Sequence, residues 1–247
     1  MSERIAYGEH PSQFGELWVP DAPDGPLPVV VLVHGGFWRE RYGCDEMHAL
    51  ATDVAARGWA AWNLEYRRVG GDGGWPQTRL DVDSGIAHLA TLAREHPLDT
   101  SRTAAVGHSA GGHLALLCGT ACMAIVAQAA VSDPLDAYVR GLSGSAVADF
   151  LGGPPDLLGD VYKQASPLIN VPLGVPQLFV HGDADEDVPV EQSRTYVAAA
   201  RDARDDVEYV ELAGAGHMEH TDPDSFAWRA AAEYLDRLFT PLRPGRG

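Results

Sequence analysis

A serine stands at the centre of a pentapeptide bounded by glycines, Gly107-His-Ser-Ala-Gly111, which matches the pattern G-x-S-x-G. An apolar run that ends at Val106 precedes it, and a run of small residues follows it. This order predicts a sharp turn between a buried strand and a helix, with glycines where the backbone approaches closely. Such a turn would lift the hydroxyl of Ser109 clear of the sheet, so Ser109 is the candidate nucleophile for acyl transfer.

A nucleophilic serine needs a histidine to take its proton and a carboxylate to orient that histidine. Three aspartates follow the predicted strand 176–180, namely Asp183, Asp185 and Asp187. Asp185 is preferred because it lies four residues after the histidine at the strand end and three before a Val-Pro pair. Asp187 is the main alternative, and Asp183 is expected to cap the turn. Asp133, at the end of another strand, is an outside candidate.

The base is expected after the last strand, in the glycine-rich segment Ala213-Gly-Ala-Gly-His217. We predict His217 as the base, with His220 as its competitor. His108, beside the candidate nucleophile, is expected to pack against its neighbours rather than to react. No group of histidines, cysteines and acidic residues has the spacing of a metal site, so we predict neither a metal nor another cofactor.

Acyl transfer also needs N–H groups that stabilise the negative charge developing on the carbonyl oxygen. The segment His34-Gly-Gly-Phe-Trp38 follows a buried strand and is suited to this task. We predict the backbone amides of Gly36 and Phe37 as donors in this loop, together with the amide of Ala110 directly after the serine. His34 itself is expected to be a structural hydrogen-bonding residue.

Three aromatic residues are candidates for lining the substrate pocket. Phe37 and Trp38 belong to the loop that carries the predicted donors, and Trp75 follows a glycine-rich stretch. A bound aromatic group could stack against them, which would favour aryl substrates. The sequence leaves a packing role equally open for all three.

Strands and helices alternate along the chain, which predicts a parallel sheet with helices on both faces. The predicted strands are 28–33, 59–64, 102–106, 124–131, 176–180 and 207–212. The predicted helices are 43–57, 77–94, 111–118, 190–204 and 226–239. Residues 134–172 interrupt the alternation with many Gly, Pro and Asp residues, and we expect them to form a small cap inserted into a single domain that spans 1–247. The cap would lie over the carboxyl edge of the sheet, where such sheets place their sites.

The chain has 247 residues and a formal net charge of −17, from 35 acidic and 18 basic residues. Nucleic acids and anionic membranes bind basic surfaces, so this charge argues against either partner. Cys44, Cys118 and Cys122 form no spaced framework and are expected to be buried free thiols. Residues 1–16 contain no apolar segment of the signal-peptide kind, so a cytoplasmic location is expected. The sequence leaves a homodimer open.

These motifs resemble those of the α/β-hydrolase superfamily and, within it, the kynurenine formamidase (arylformamidase) and small esterase group. Three segments carry the closer resemblance: His34-Gly-Gly-Phe-Trp38, Glu65-Tyr-Arg67 and His181-Gly-x-x-Asp185-x-x-Val-Pro189. The first departs from the fuller HGGG form of other esterases because Phe37 stands where those carry a third glycine. The resemblance implies an α/β-hydrolase fold with a mostly parallel central sheet flanked by helices.

The resemblance and the motifs together imply hydrolysis of a small-molecule ester or amide through an acyl-enzyme on Ser109. Small aryl esters, or an aryl formamide such as N-formylkynurenine, are the expected substrates. A tailoring acyltransferase or cyclase, or a peptidase-like aminoacyl hydrolase, would use the same three residues and is the alternative. A non-enzymatic scaffold is disfavoured because it would be expected to have lost one of the three. Serine at position 109 also disfavours chemistry that needs an aspartate or cysteine nucleophile.

Overall fold

An eight-stranded, mostly parallel sheet forms the centre of the molecule within the residues that the computed structural model describes, 2–21 and 23–240. The strands are β1 (Ser2–Ala6), β2 (Phe14–Trp18), β3 (Leu27–Val33), β4 (Ala60–Leu64), β5 (Leu98–His108), β6 (Ala124–Gln128), β7 (Gln177–Gly182) and β8 (Val207–Leu212). Their order across the sheet is β1-β2-β4-β3-β5-β6-β7-β8. Strands β3 to β8 run parallel to one another, whereas β2 pairs antiparallel with both β1 and β4.

The six predicted strands are all present and in the predicted sequence order, so the mostly parallel sheet is confirmed. The N-terminal hairpin of β1 and β2 was not predicted. β1 forms an edge of the sheet and exposes most of its residues, so it lacks the apolar alternation that marks a half-buried strand. β6 is shorter than predicted and ends at Gln128.

Helices cover the sheet. They are α1 (His48–Ala56), α2 (Gln77–Ala87), α3 (Leu89–Leu92), α4 (Ala110–Cys118), α5 (Pro134–Val139), α6 (Ala146–Leu151), α7 (Pro155–Gln164), α8 (Glu191–Asp202) and α9 (Phe226–Phe239). The helix predicted for 43–57 begins with a 3-10 turn, Cys44–Met47, before α1. The helix predicted for 77–94 is divided into α2 and α3 at His88, whose ψ of −20° is less negative than that of a regular α-helix.

Strand β3 shows why the core is continuous on both faces of the sheet. Val29, Val31 and Val33 belong to one buried cluster, and Val30 and Leu32 belong to a second cluster on the opposite face. Helices α2, α4 and α8 contribute to the first cluster, and α1 and α9 contribute to the second. The uninterrupted apolar run of β3 is therefore explained by burial on both sides.

Residues 134–172 lie between β6 and β7 and contain α5, α6 and α7, so this segment is more regular than its composition suggested. The three cysteines are free and buried, as predicted. Among the described residues, no helix combines the length and the apolar character that a membrane crossing requires. The cytoplasmic location stays a prediction.

Parallel strands bring their carboxyl ends to one edge of a sheet. The predicted donor loop follows β3, the candidate nucleophile follows β5, the candidate acid follows β7 and the candidate base follows β8. β3 neighbours β5, and β7 neighbours β8, so the fold gathers these four segments at the same edge.

Candidate active site

Ser109 occupies a strained turn between β5 and α4, with φ of 55° and ψ of −119°. The two glycines of the motif are required by close backbone contacts. A Cβ added to Gly107 would lie 2.1 Å from the carbonyl oxygen of Gly111, and one added to Gly111 would lie 2.0 Å from that of Val33. Neither position can hold a side chain without moving the backbone, which agrees with the tight turn predicted from the sequence.

The hydroxyl of Ser109 is buried, and its Oγ makes no hydrogen bond with any residue that the structure describes. It faces a cleft of about 90 Å³ at the carboxyl edge of the sheet. The residues that line this cleft are Gly36, Phe37, Tyr42, Glu46, His108, Ser109, Asp187, His217 and Met218. The candidate nucleophile and the candidate base therefore share one small cavity.

Asp185 and His217 are in direct contact, with 2.7 Å between Oδ2 and Nδ1. The other oxygen of Asp185 accepts hydrogen bonds from the amides of Asp187 at 2.9 Å and Val188 at 2.8 Å. Burial raises the pKa of Asp185, but hydrogen bonds from His181 and His217 outweigh it and hold the pKa well below its usual range. The carboxylate therefore stays ionised and accepts a hydrogen bond from Nδ1–H of His217, which leaves Nε2 of that ring as the basic nitrogen.

His181, at the end of β7, is a positioning residue; the sequence marked it as a strand end and as part of a motif but predicted no role for it at the site. Its Nε2 faces the Asp185 carboxylate at 3.2 Å and the carbonyl of Val188 at 2.9 Å, so this nitrogen carries the proton. Its Nδ1 accepts a hydrogen bond from the hydroxyl of Ser193 at 2.7 Å. The buried ring thus fixes Asp185 from the side opposite His217.

The neighbouring histidines support the loop of His217 rather than replace it. His108 Nε2 lies 3.0 Å from the carbonyl oxygen of His217, and burial holds the pKa of His108 well below its usual range. The neutral ring therefore donates to the backbone of His217. His220 is fully buried, and neither ring nitrogen has a hydrogen-bond partner among the described residues. Burial lowers its pKa to about 3, and it makes no contact with Asp185 of the kind His217 makes.

The other candidate acids have different surroundings. Asp183 accepts a hydrogen bond from the amide of Gly214 at 2.6 Å, and Asp133 caps α5 by accepting from the amide of Leu135 at 3.0 Å. Both therefore match the capping role. Asp187 is exposed, and one of its carboxylate oxygens comes within 4.8 Å of a ring nitrogen of His217.

The loop after β3 has left-handed backbone at three consecutive residues, with φ of 94° at Gly36, 48° at Phe37 and 56° at Trp38. The carbonyl of Gly36 accepts a hydrogen bond from the amide of Arg39 at 3.0 Å, which closes the turn. Within the described part of the chain, the amides of Gly36, Phe37 and Ala110 donate to no acceptor. Gly36 and Phe37 line the cleft, whereas Ala110 is buried directly after Ser109 and is not among the lining residues.

A buried cluster of charged residues contacts this loop and fixes its position. His34 Nε2 lies 3.0 Å from the carboxylate of Glu65, which also binds Arg68 and accepts from the amides of Cys44 and Tyr66 at 3.1 and 2.9 Å. The Tyr66 hydroxyl donates to the carbonyl of His34 at 2.7 Å. Burial raises the pKa of Glu65, but hydrogen bonds from His34 and Arg68 outweigh it and lower the pKa to about 2. His34 thus has the structural surroundings expected of it.

Of the three predicted pocket aromatics, only Phe37 lines the cleft. Trp38 is completely buried and stacks on Phe150 of α6, with ring centroids 4.3 Å apart and planes within 7°. Its edge also meets the ring of His113 at 5.1 Å. Trp75 approaches the same Phe150 edge-on at 6.2 Å and does not line the cleft. The placement of Trp38 and Trp75 in the substrate pocket is therefore corrected: both pack against α6.

Tyr42, Glu46 and Met218 occupy the positions in the cleft that the sequence left unassigned. Tyr42 lies against Gly36, since a Cβ at that glycine would come within 2.4 Å of the tyrosine. Glu46 belongs to the 3-10 turn before α1, and Met218 directly follows His217. Their positions near the sequence motifs are not enough to identify them, because Tyr42 lies in an irregular segment and Glu46 in a short 3-10 turn, neither of which shows a regular apolar period.

Two groups of residues in the described part of the chain bring three potential metal ligands within 4.8 Å of one another. One comprises Glu16, Cys44 and His48, in which the His48 ring already lies 2.6 Å from the Glu16 carboxylate. The other contains Asp185, Asp187 and His217, where one hydrogen bond at 2.7 Å accounts for the approach of Asp185 to His217. The prediction that the protein uses no metal stays a prediction.

Comparison with known proteins adds a family and a set of relatives. Residues 16–199 match the model of the BD-FAE family. Esterase LipC of Mycobacterium tuberculosis is 32% identical over 237 residues, covering 87% of this chain and 59% of that protein. The probable carboxylic ester hydrolase LipM of the same organism is 27% identical, covering 84% of this chain and 54% of its own length. The chain thus spans a little over half the length of these curated relatives.

A solved structure, Thermogutta terrifontis esterase 2 phosphonylated by sarin, superposes with a TM-score of 0.82. Its sequence is 22% identical, and the match covers 98% of this chain and 97% of that one. A likeness at this level of identity shows the fold. The α/β-hydrolase fold implied by the sequence motifs is therefore confirmed.

Proposed function

The chain belongs to the BD-FAE family, and on that premise we propose that it is a serine esterase that cleaves small carboxylic esters through an acyl-enzyme on Ser109. One observation carries the proposal. The Asp185–His217 pair, joined at 2.7 Å, presents its histidine to the same cleft as the buried Ser109 hydroxyl. The esterase names of the curated relatives support the reaction class.

In this mechanism His217 Nε2 takes the proton of Ser109 as Oγ attacks the carbonyl carbon of the ester. The tetrahedral intermediate carries its negative charge on the former carbonyl oxygen, and the amides of Phe37 and Ala110, with Gly36, stabilise it. The imidazolium of His217 then protonates the leaving alkoxide, and the acyl group stays on Oγ. Water, deprotonated by the same nitrogen, attacks this acyl group and releases the carboxylic acid.

Asp185 makes no bond to the substrate in this scheme. It accepts a hydrogen bond from Nδ1–H of His217 and stabilises the positive charge that the ring gains during attack. Its lowered pKa keeps it ionised at neutral pH, which this task requires. His181 and the amide of Val188 act through Asp185 as positioning groups.

The cleft favours small substrates. Its volume is about 90 Å³, and Phe37, Tyr42 and Met218 give it apolar walls. We therefore propose short acyl groups and small aryl esters as substrates. The formamide of N-formylkynurenine is the finer alternative, supported by the aromatic ring of Phe37 beside the predicted donors. Acyl transfer to a nucleophile other than water would use the same acyl-enzyme.

We also propose that residues 134–172 form a cap that influences substrate choice through the loop after β3. No residue of this segment lines the cleft within the described part of the chain. The segment does contact the loop: Phe150 stacks on Trp38, and the carbonyl of Ser143 accepts a hydrogen bond from Arg39 at 2.6 Å. Substitutions in the cap would therefore affect substrate binding by changing the positions of the donor amides.

The test is turnover of p-nitrophenyl acetate, p-nitrophenyl decanoate and N-formylkynurenine by the wild-type chain and by Ser109→Ala. We expect the acetate to be cleaved best, and Ser109→Ala to lose both turnover and covalent labelling by a fluorophosphonate. Ser84→Ala, which removes an exposed hydroxyl on α2, is the matched control and should keep both. Labelling that persists in Ser109→Ala would disprove the assignment of the nucleophile.

A further inference from the structure

The cleft contains a carboxylate that the proposed mechanism does not use. Glu46, in the 3-10 turn Cys44–Met47, lines the cleft together with Ser109 and His217. It is half-buried, and no hydrogen bond from a described residue is among the interactions that act on its carboxylate. Asp185 and Glu65 differ in this respect, because each accepts hydrogen bonds from two side chains and two backbone amides.

A partly buried carboxylate without donors is unfavourable, because it loses water and gains nothing in return. Burial accordingly raises the pKa of Glu46, with the nearby carboxylates of Asp45 and Glu65 acting in the same direction and the histidines His34 and His217 opposing them. Because this carboxylate has no hydrogen-bond donor and lies beside a reactive serine, it is suited to bind a group carried by the substrate.

The sign of the surrounding charge restricts that partner. Asp187, on the loop after β7, lines the same cleft, and its carboxylate also accepts no hydrogen bond within the described chain. Among the described residues, no lysine or arginine lines the cleft. The buried and unpartnered Oγ of Ser109 opens onto the same space, which marks it as a place for a ligand. A cation would gain from both carboxylates, whereas an anion would be repelled by both.

We propose that Glu46, assisted by Asp187, forms a subsite for a positively charged ammonium group carried by the ester. This inference rests on the proposed esterase function and adds a substrate class to it. An ammonium group suits the cleft because it is a compact point charge, and both carboxylates can approach it without a fixed planar geometry. The subsite would distinguish cationic esters from neutral ones of equal shape and would exclude esters that carry a carboxylate.

The experiment compares acetylthiocholine with its uncharged isostere 3,3-dimethylbutyl thioacetate, in which carbon replaces the quaternary nitrogen. Because this nitrogen has no N–H, the ratio of the two kcat/KM values reports charge alone. We expect the wild-type chain to prefer the cation, and Glu46→Gln to lower the ratio about three- to tenfold. Asp187→Asn should lower it less, because an exposed carboxylate is more strongly screened. Added salt should reduce the wild-type ratio.

Glu233→Gln is the matched control, because it removes one exposed carboxylate from α9 and should leave the ratio unchanged. A wild-type ratio near one would overturn the proposal. So would a loss in Glu46→Gln that is equal for both thioesters, since Glu46 would then act through His217 and not on the substrate charge. Circular dichroism and Tm of each variant establish that it is folded.

A failure of the esterase proposal has a different signature: no turnover of either thioester or of p-nitrophenyl acetate, and no fluorophosphonate labelling of Ser109. The subsite is still tested in that case by binding of tetramethylammonium, followed by ligand-observed NMR. Binding that weakens in Glu46→Gln but not in Glu233→Gln supports the subsite without turnover. Equal binding by the wild type and both variants would overturn it.

Discussion

The two sides of the cleft are held in place by different forces. On the acid–base side, Asp185 and His217 follow adjacent strands, and hydrogen bonds between neighbouring loops fix them, with His181 behind. On the donor side, the loop after β3 is held by the buried Glu65–Arg68 pair and by the stacking of Trp38 on a distant segment of the chain.

This difference has a consequence for mutation. A hydrogen bond between two loops can be removed while the surrounding core stays intact, so changes on the acid–base side should reduce turnover more than stability. A buried ion pair and a buried aromatic stack belong to the core, so changes on the donor side should reduce stability and turnover together. The predictions below test this contrast.

The largest effect is expected for Asp185→Asn on the acid–base side. The NH2 group of an amide at this position can donate to Nδ1 of His217 and so favour the wrong tautomer, a change that costs about 10,000-fold in kcat in a serine protease. We expect a loss of that order in hydrolysis of p-nitrophenyl acetate. Asp187→Asn is the matched comparison and should cost far less on this neutral ester. The reverse ranking would make Asp187 the partner of His217.

The next largest effect is expected for Glu65→Gln on the donor side. Removal of one partner of a buried ion pair leaves Arg68 uncompensated and typically destabilises a protein by about 3–5 kcal/mol. The loop also loses its hydrogen bond through His34, so kcat should fall by about 10- to 100-fold. Loss of a complete oxyanion-hole donor costs more, about 100- to 1000-fold. Urea unfolding and kinetics on p-nitrophenyl acetate measure the two quantities.

Glu211→Gln is the control for this prediction, because Glu211 forms an exposed pair with Arg194 at 2.6 Å. Exposed pairs contribute about 0–1 kcal/mol, so its free energy of unfolding should barely change. If Glu65→Gln were as mild as Glu211→Gln, the buried cluster would not be what holds the donor loop.

A smaller effect on the same side is expected for Phe150→Leu, which removes the ring that stacks on Trp38. Aromatic stacking contributes about 0.5–1.5 kcal/mol beyond burial, so stability and kcat should both fall modestly. Phe239→Leu is the control, because Phe239 is buried against Trp59 on the opposite face of the sheet. It should lower stability to a similar degree and leave the kinetics unchanged. Equal kinetic losses in both variants would contradict the proposed coupling between residues 134–172 and the loop after β3.

The contrast between the two sides also explains what the sequence could predict. The turn at Ser109 depends on neighbours in the chain, since Gly107 and Gly111 allow the close contacts and the flanking strand and helix are strongly apolar. Asp185 and His217 could be placed because each follows a recognisable strand. The spacing of residues within each segment is therefore enough to predict these positions. The parallel strands then bring the segments to one edge of the sheet.

The packing on the donor side could not be predicted in the same way. Trp38 is buried because it meets Phe150, a residue far along the chain within a segment whose composition suggested no regular structure. The segment Glu65-Tyr-Arg67 was noted as a motif, yet Arg67 pairs with Asp81 at 2.7 Å and the next residue, Arg68, binds Glu65. Which of two adjacent arginines faces inward depends on tertiary contacts and not on spacing.

The last prediction concerns the pH dependence of stability, in which the buried histidines and the buried carboxylate of Glu65 should act in different pH windows. His220 and His113 are buried and neutral, with burial lowering their pKa values to about 3 and about 4. The coulombic effects of His181 and His217 lower that of His220 further. In the unfolded chain a histidine titrates near 6.5, so between that pH and the folded value only the unfolded state binds the proton. The free energy of unfolding should therefore fall as the pH drops below about 6.5.

Glu65 should act in a lower window. Its folded pKa of about 2 lies below the ordinary value of 4.5, so its contribution is complete above about 4.5 and is lost as the pH falls towards 2. Urea unfolding from pH 7.5 to 4.5 should show a decline of up to about 1.4 kcal/mol per pH unit for each buried histidine. His220→Leu should make this decline shallower, whereas Glu65→Gln should leave its slope unchanged above pH 5. An unchanged slope in His220→Leu would mean that His220 does not contribute to this decline in stability.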